Sequence, residues 1–524
     1  MGRVRVPNSV IMFQLPLSIR PPTRTRSTNS HSPHQSVSAH RRLAEANVYT
    51  DGERCNGYSG TNRVNTMSKT EKQTQSPVSE LATFVAELTF DDLPAEAIDV
   101  AAECILDTVG VTVAGTTDRA GERVSTMVSA LGGDTARLVG TDIRGTPTDV
   151  AFATGTAGHA LDFDDVTRVF PGHPSTTTVP PILALAETQN VSGKDALSAY
   201  VAGYEAQCYV SRPIGDSSYQ GGWHGTAMFG PFAAAAAAAT LLELDVAETE
   251  TAFNITASMP AGLRRNFGTM TKPMHAGQAA RSGLTAALLA ANGFTATPNS
   301  LSGEGGFFEM YSGAGEPDLS ALKPLGEHWS IVDDDLFIKK FPCCGMTHSS
   351  IEAAILLAEK HDIDPSTVEH VEAVAAPLAA DALKYSDPQT GLNAKFSMEY
   401  TVARGIVDRR VGLSAFDDAN VNDPAVQRIR ERTTRIIDDS MPYKSHESTV
   451  RIKLADGTEY EHVQETPPGS RSNPLSESEL RDKFTMCVEY TLDSEHAAQS
   501  YELLSSLESV SDVSDVIDAL SPEN

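Results

Sequence analysis

The spacing of apolar and polar positions changes character twice along this chain of 524 residues. After Ser76–Pro77, the residues Val78, Leu81, Phe84, Val85 and Leu88 recur at the three- and four-residue steps of a single helix face. Pro94 opens a second such stretch, in which Ile98, Ala101, Ile105, Leu106 and Val109 repeat the pattern up to Gly115, a residue suited to left-handed helix termination. The same period predicts helices over residues 193–211, 230–244, 278–292 and 349–361, with little strand-like sequence between them. After Pro365 the period shortens. Residues 370–375 read as a strand, and residues 450–454 and 458–462 alternate apolar with charged positions around Asp456-Gly457, a hairpin signature. From Ser476 the helical period returns. The pattern predicts a mainly α fold: a large all-helical domain made from residues 75–337 and 472–524, with a smaller α+β domain, residues 338–471, inserted before the C-terminal helices.

The first 66 residues fit neither pattern. They carry nine arginines, no lysine and three acids, together with much Ser, Thr, Asn and Pro, and they bury too little apolar surface to offset the entropy of ordering. We expect a basic, disordered extension over residues 1–74. An Arg- and Ser-rich start also suits an organelle transit peptide, but Gln14 and Pro16 break the apolar stretch that a secretory signal needs. The reading we prefer takes Met67 as the translation start.

Charge narrows the partners. With 69 acidic against 41 basic residues, the formal net charge of −28 repels nucleic acid and anionic membrane surfaces, leaving small molecules or further copies of the chain. The same imbalance suits a salt-rich cytoplasm, and activity and melting temperature should then respond to molar potassium chloride. Six cysteines, four of them isolated at Cys55, Cys104, Cys208 and Cys487, make no disulfide framework and point to a reducing, cytoplasmic setting. No window reaches the roughly 18 apolar residues of a membrane span.

Five patches concentrate ionisable residues among Gly and Pro: residues 159–175 (HALDFDDVTRVFPGHPS), 221–230 (GGWHGTAMFG), 268–283 (GTMTKPMHAGQAARSG), 338–350 (IKKFPCCGMTHSS) and 384–400 (KYSDPQTGLNAKFSMEY). Each fits a loop that presents a side chain from a rigid scaffold. Taken singly, His173 and His224 also fit hydrogen-bonded structural histidines, and Lys272 and Lys339 fit surface lysines. Asp162, Asp164 and Asp165 resemble a magnesium-binding aspartate run, but Val166-Thr167-Arg168 follow them, so a full DDxxD is absent and we expect no metal. Cys343 and Cys344 are adjacent, which excludes the spacing of a zinc ribbon or an iron–sulfur centre.

Together, HALDFDD…HPS, WHGT, TKPMHAG, KKFPCCGMTH and the late GSRSNPLSESELRDKF resemble, in order and approximate spacing, the MmgE/PrpD family, from about Pro77 to the C-terminus. The resemblance implies a helical domain with an α+β lid, a homodimer, and an inter-domain site without metal, nucleotide or other cofactor. Members include 2-methylcitrate dehydratases, cis-aconitate decarboxylases and an iminodisuccinate epimerase. Residue by residue, it implies a catalytic set of Asp162, His173, His224, Lys272 and Tyr385, with Lys339, His275, Thr167 and Cys344 near the substrate. Thr167 aligns only if the loop from Asp162 to His173, one residue longer than in the decarboxylases, is gapped. Cys344 stands where the decarboxylases carry a histidine.

Elementary chemistry suits this set. Removing a proton beside a carboxylate creates a dianionic, enolate-like species that needs cations and hydrogen-bond donors to form. Lys272 and Lys339 would supply point charges. Two histidines, His173 and His224, would supply a base and an acid, the two roles being left open between them. Asp162 would fix a tautomer or orient a neighbour. The expected function is a cofactor-independent lyase acting on a small polycarboxylate, in the manner of 2-methylcitrate dehydratase, by loss of water. Decarboxylation or epimerisation would use the same clamp. A reading of another class is a non-catalytic, dimeric ligand-binding homologue.

Overall fold

Ser76 starts the first helix. Its hydroxyl accepts a hydrogen bond from the Ser79 amide, and Pro77 fills the first turn of helix Pro77–Glu87, which buries Val78, Leu81, Ala82 and Val85. The structure, a computed structural model, describes residues 75–313 and 315–522; the basic extension expected over residues 1–74 lies outside them.

The middle of the helical part is built from Ala95–Gly115, Pro147–Ala160, Ser175–Gln189, Gly193–Ser211, Gly225–Leu241 and Thr271–Ala291. These helices are apolar or small on nearly every side, because neighbours surround them. The alanines Ala233–Ala239 are all buried at 1% exposure or less, so this run is core filling, and small side chains let other helices approach it. One close approach brings glycine against glycine. A methyl on Gly155 would lie 2.9 Å from the Gly277 Cα, and one on Gly277 would lie 2.1 Å from the Phe152 carbonyl oxygen. This crossing joins the helix that carries His159 to the helix that carries Lys272. We expect Gly277→Ala to destabilise the protein by roughly 1–3 kcal/mol through overpacking. A thermal melt indistinguishable from the parent protein would show that the crossing has room to spare.

The α+β part holds a four-stranded sheet in the order Thr433–Ile437, Val368–Ala375, Ser448–Leu454, Glu459–Gln464. The first pair is parallel and the others antiparallel. Helices His348–Lys360 and Met398–Asp408 cover one face, over the buried Val371, Ala373, Val450 and Ile452. One apolar cluster runs from Val78 to Ile338 and resumes at Leu480; a second runs from Phe341 to Ile452 and takes in Tyr219 and Phe267 from the helical part. No helix among the described residues is long and apolar enough to cross a membrane.

Two expectations need correction. The helix expected over 278–292 spans Thr271–Ala291, and the one expected over 230–244 spans Gly225–Leu241. In both, the residues before the expected start form the first one or two turns of a buried helix. Pro273 is tolerated there because the first-turn amides have no intrahelical acceptor.

Candidate active site

The site is organised by the turn that follows helix Pro147–Ala160. Asp162 adopts a left-handed backbone, φ 52°, a conformation that aspartate tolerates better than most residues. Three buried lysines from distant parts of the chain hold this turn by its carbonyls. Lys395 Nζ donates to Leu161 O at 2.6 Å and to Pro342 O at 2.7 Å. Lys339 Nζ donates to Asp162 O at 2.8 Å, and Lys483 Nζ donates to Phe163 O at 2.9 Å while pairing with Asp107 at 2.6 Å.

The three carboxylates of the turn diverge. Asp162 Oδ1 lies 2.5 Å from Lys339 Nζ and 3.3 Å from Lys272 Nζ, while its Oδ2 has no hydrogen-bond partner. Burial alone would raise its pKa, but Lys272, Lys339 and the nearby imidazoles outweigh that and hold it well below the ordinary value. Asp164 Oδ2 lies 2.8 Å from His159 Nδ1 and 3.2 Å from His173 Nδ1. Asp165 accepts from the Ser175 amide at 3.1 Å and from its hydroxyl at 2.6 Å, and burial pushes its pKa up to about 7.

The imidazoles cluster beside them. His173 and His224 have ring centroids 6.4 Å apart, and His159 lies 4.3 Å from the first and 5.8 Å from the second. His173 Nδ1 also lies 3.0 Å from Asp165 O, so Nε2 is the nitrogen left for a ligand. His224 precedes helix Gly225–Leu241, and its Nδ1 lies 3.2 Å from His275 Nδ1, a contact that needs one donor and one acceptor. Burial, reinforced by the Lys272 charge, depresses His224 well below 6.5 and His275 to about 4. Both shifts favour the neutral ring.

A pocket opens onto this cluster, lined by Asp162, Thr167, His173, His224, Lys272 and Cys344, with Phe267, Phe396 and Met346 as apolar wall and Arg168, Lys444 and His446 also facing it. Lys272 Nζ is buried, sits 5.2 Å from the Phe396 ring centroid, and has no hydrogen-bond acceptor despite its ion pair with Asp162. It is an ammonium group with unused donors beside a ligand-sized space.

Three expected residues stand elsewhere. Lys339 is wholly enclosed behind Asp162, with its ammonium bonded to that residue, and does not line the pocket. Tyr385 does not line it either: its hydroxyl donates to Phe267 O at 3.1 Å, so it braces a pocket wall. His275 does not line the pocket; its Nδ1 lies against that of His224, which does. The carboxylate at His173 Nδ1 is Asp164; Asp162, 3.9 Å from His173 Nε2, pairs with its neighbours Lys272 and Lys339. Thr167 lines the pocket, but its hydroxyl already accepts from Tyr204 at 3.0 Å. Cys344 lines it with its thiol pushed up to about 11, chiefly by burial, so it is an uncharged surface there. Sequence reasoning missed His159, one helical turn before Asp162, and Lys395, each inside a patch already singled out, and Lys444, which no motif marks.

The fold and site define a mainly helical protein with a smaller α+β part and a buried carboxylate–lysine–imidazole cluster facing a pocket. Residues 79–320 match the MmgE/PrpD N-terminal domain and residues 341–509 the MmgE/PrpD C-terminal domain. The chain belongs to the MmgE/PrpD family. It is 28% identical to the cis-aconitate decarboxylase of Mus musculus over 72% of its own length and 80% of that protein's. For the cis-aconitate decarboxylase of Homo sapiens the identity is 26%, over 83% of this chain and 92% of the relative. The 2-methylcitrate dehydratase of Escherichia coli K12 is 25% identical, over 74% of this chain and 85% of the relative.

Proposed function

We propose that this chain is a lyase that acts on a small polycarboxylate by moving a proton at the carbon next to a carboxylate. The observation that carries this reading is Lys272, a buried ammonium at the pocket with no hydrogen-bond acceptor, beside two imidazoles whose second nitrogens are already anchored. A substrate carboxylate would complete its hydrogen bonds. As charge grows on that carboxylate in an enolate-like transition state, the ammonium stabilises it further. One of His173 and His224 takes the carbon-bound proton; the other, which takes up a proton from solvent as the anionic substrate binds beside it, gives that proton to the leaving hydroxyl. The relatives named above, decarboxylases and a dehydratase, support such chemistry.

Between subtypes, the resting state favours loss of water. Dehydration begins with a base, and both histidines rest neutral; Cys344, uncharged, stands where the resemblance places a histidine in decarboxylases. Decarboxylation is the second reading, favoured by the higher identity to the decarboxylases. Incubation with 2-methylcitrate and with cis-aconitate, followed by mass spectrometry and carbon dioxide capture, separates the two. An unsaturated tricarboxylate formed without gas supports dehydration. Carbon dioxide released in step with substrate loss would replace it with the second reading, and no turnover of either would sink both.

We propose further that no metal takes part. His159, Asp162, Asp164 and His173 bring ligand atoms within 4.8 Å of one another, close enough for an ion. However, Asp162 is shared by two ammonium groups, so an incoming cation would meet charges of its own sign there, and Asp164 is already engaged by two imidazoles. Exhaustive chelation should leave turnover unchanged. Activity lost to chelator and restored by added metal would show that the lysines give way.

A further inference from the structure

Asp164 is fully buried and carries two imidazole contacts on one carboxylate. His173, which faces the pocket, makes one; His159, which does not, makes the other. We propose that His159 is a positioning residue that, through the carboxylate it shares with His173, sets the charge in which His173 rests. Its bearing on catalysis rests on the reading of His173 given above; the coupling itself does not.

His159 Nδ1 approaches both Asp164 oxygens, at 2.8 and 3.0 Å, against 3.2 Å for His173 Nδ1. A neutral ring that donates to a carboxylate from Nδ1 keeps its lone pair on Nε2, so Asp164 fixes the tautomer of His159 and favours the same one in His173. His159 Nε2 is buried and has no partner. An unmet buried polar atom costs about 1–3 kcal/mol, a cost that an apolar side chain at this position would not carry. The ring is held in that condition directly against His173, edge to face at 4.3 Å.

The surrounding charges fix the direction of the effect. Lys272 and Lys339 face His173 from their own segments and disfavour a proton on it, whereas Asp164 favours one. Lys272 and His173 likewise disfavour a proton on His159, which burial takes down to about 3. Asp162 lies 3.9 Å from His173 Nε2, His224 stacks 5.8 Å from His159, and beyond Asp164 the Asp107 carboxylate is neutralised by Lys483. With the N–H of His159 directed at it, Asp164 divides its charge between two donors. Without that donor, the whole unscreened charge falls on His173.

The test compares two variants of similar shape. In His159→Asn the amide nitrogen stands close to the position of Nδ1 and can still donate to Asp164; in His159→Leu nothing can. With carbon-13 in the imidazole rings and the His173 signal assigned by its loss in His173→Gln, the titration of His173 is followed in the resting protein. We expect His159→Leu to raise its midpoint by about one pH unit, the lower end of the effect of an adjacent opposite charge. His159→Asn should leave it within a few tenths of a unit, and Asp164→Asn should lower it by a similar unit. A purely structural His159 would give no such pair of opposite shifts. An unmoved titration in a folded His159→Leu protein overturns the inference. If that variant does not fold, His159→Phe, which keeps a ring but has no donor, takes its place, and an unmoved His173 titration there overturns the inference. The acid limb of kcat/KM should follow the ring. A ring that shifts while the limb stays would leave the coupling standing and remove His173 from the reaction.

Discussion

Lys272→Ala is expected to lower kcat/KM by roughly 10²–10³-fold, the usual cost of removing one preorganised group that stabilises transition-state charge. It should also weaken binding of an inert tricarboxylate analogue by roughly tenfold to a hundredfold, because a charge-assisted hydrogen bond in a buried site exists before reaction. A third signature follows from electrostatics. The Lys272 charge depresses His159, His173, His224 and His275, so its removal lets all four hold protons to higher pH. The acid limb of the residual activity should therefore move upward in pH. Steady-state kinetics and calorimetric titration of the analogue read all three. Unchanged analogue binding would show that Lys272 serves only as the partner of Asp162.

His173→Gln and His224→Gln should fail in a different way. Each should reduce kcat by roughly 10²–10⁴-fold, the worth of a positioned acid or base, while analogue affinity stays within a few-fold. Glutamine keeps a polar tip of similar reach but cannot take a proton. Each variant should also lose one limb of the pH–rate profile, and the limb that each loses assigns base and acid. Near-normal kcat in both variants would abandon the assignment.

The amphipathic outer helices and the hairpin were legible in the sequence, because their periods are set by one wet face and one buried face. Helix Pro77–Glu87 begins at the Ser76 cap read from sequence, and the strands Ser448–Leu454 and Glu459–Gln464 flank Asp456-Gly457 as expected. The inner helices were less so. Ser175–Gln189 carries Pro180 and Pro181, and Pro147–Ala160 is buried along almost its whole length, so neither offers the contrast that periodicity needs. At the site, residue types and motif order brought out Asp162, His173, His224 and Lys272, all of which line the pocket. They could not tell a lysine that faces a ligand from one that faces a carbonyl. Lys272 and Lys339 both sit beside Asp162, and only geometry shows that one has free donors while the other is spent on the turn. The three-residue separation of His159 from Asp162 was visible as spacing, but its meaning depended on the unforeseen left-handed turn between them.

The turn that presents Asp162 is held by Lys339, Lys395 and Lys483, whose bonds to it close loops of 177, 234 and 320 residues. Contacts of such sequence separation form late and slowly, since the chain must give up loop entropy before any of them returns energy. Helix Glu477–Glu489, which carries Lys483, must dock before the last of these carbonyls is met. A folding chain can therefore acquire its helical body well before it acquires a working site. In a refolding experiment, helical signal should return ahead of activity.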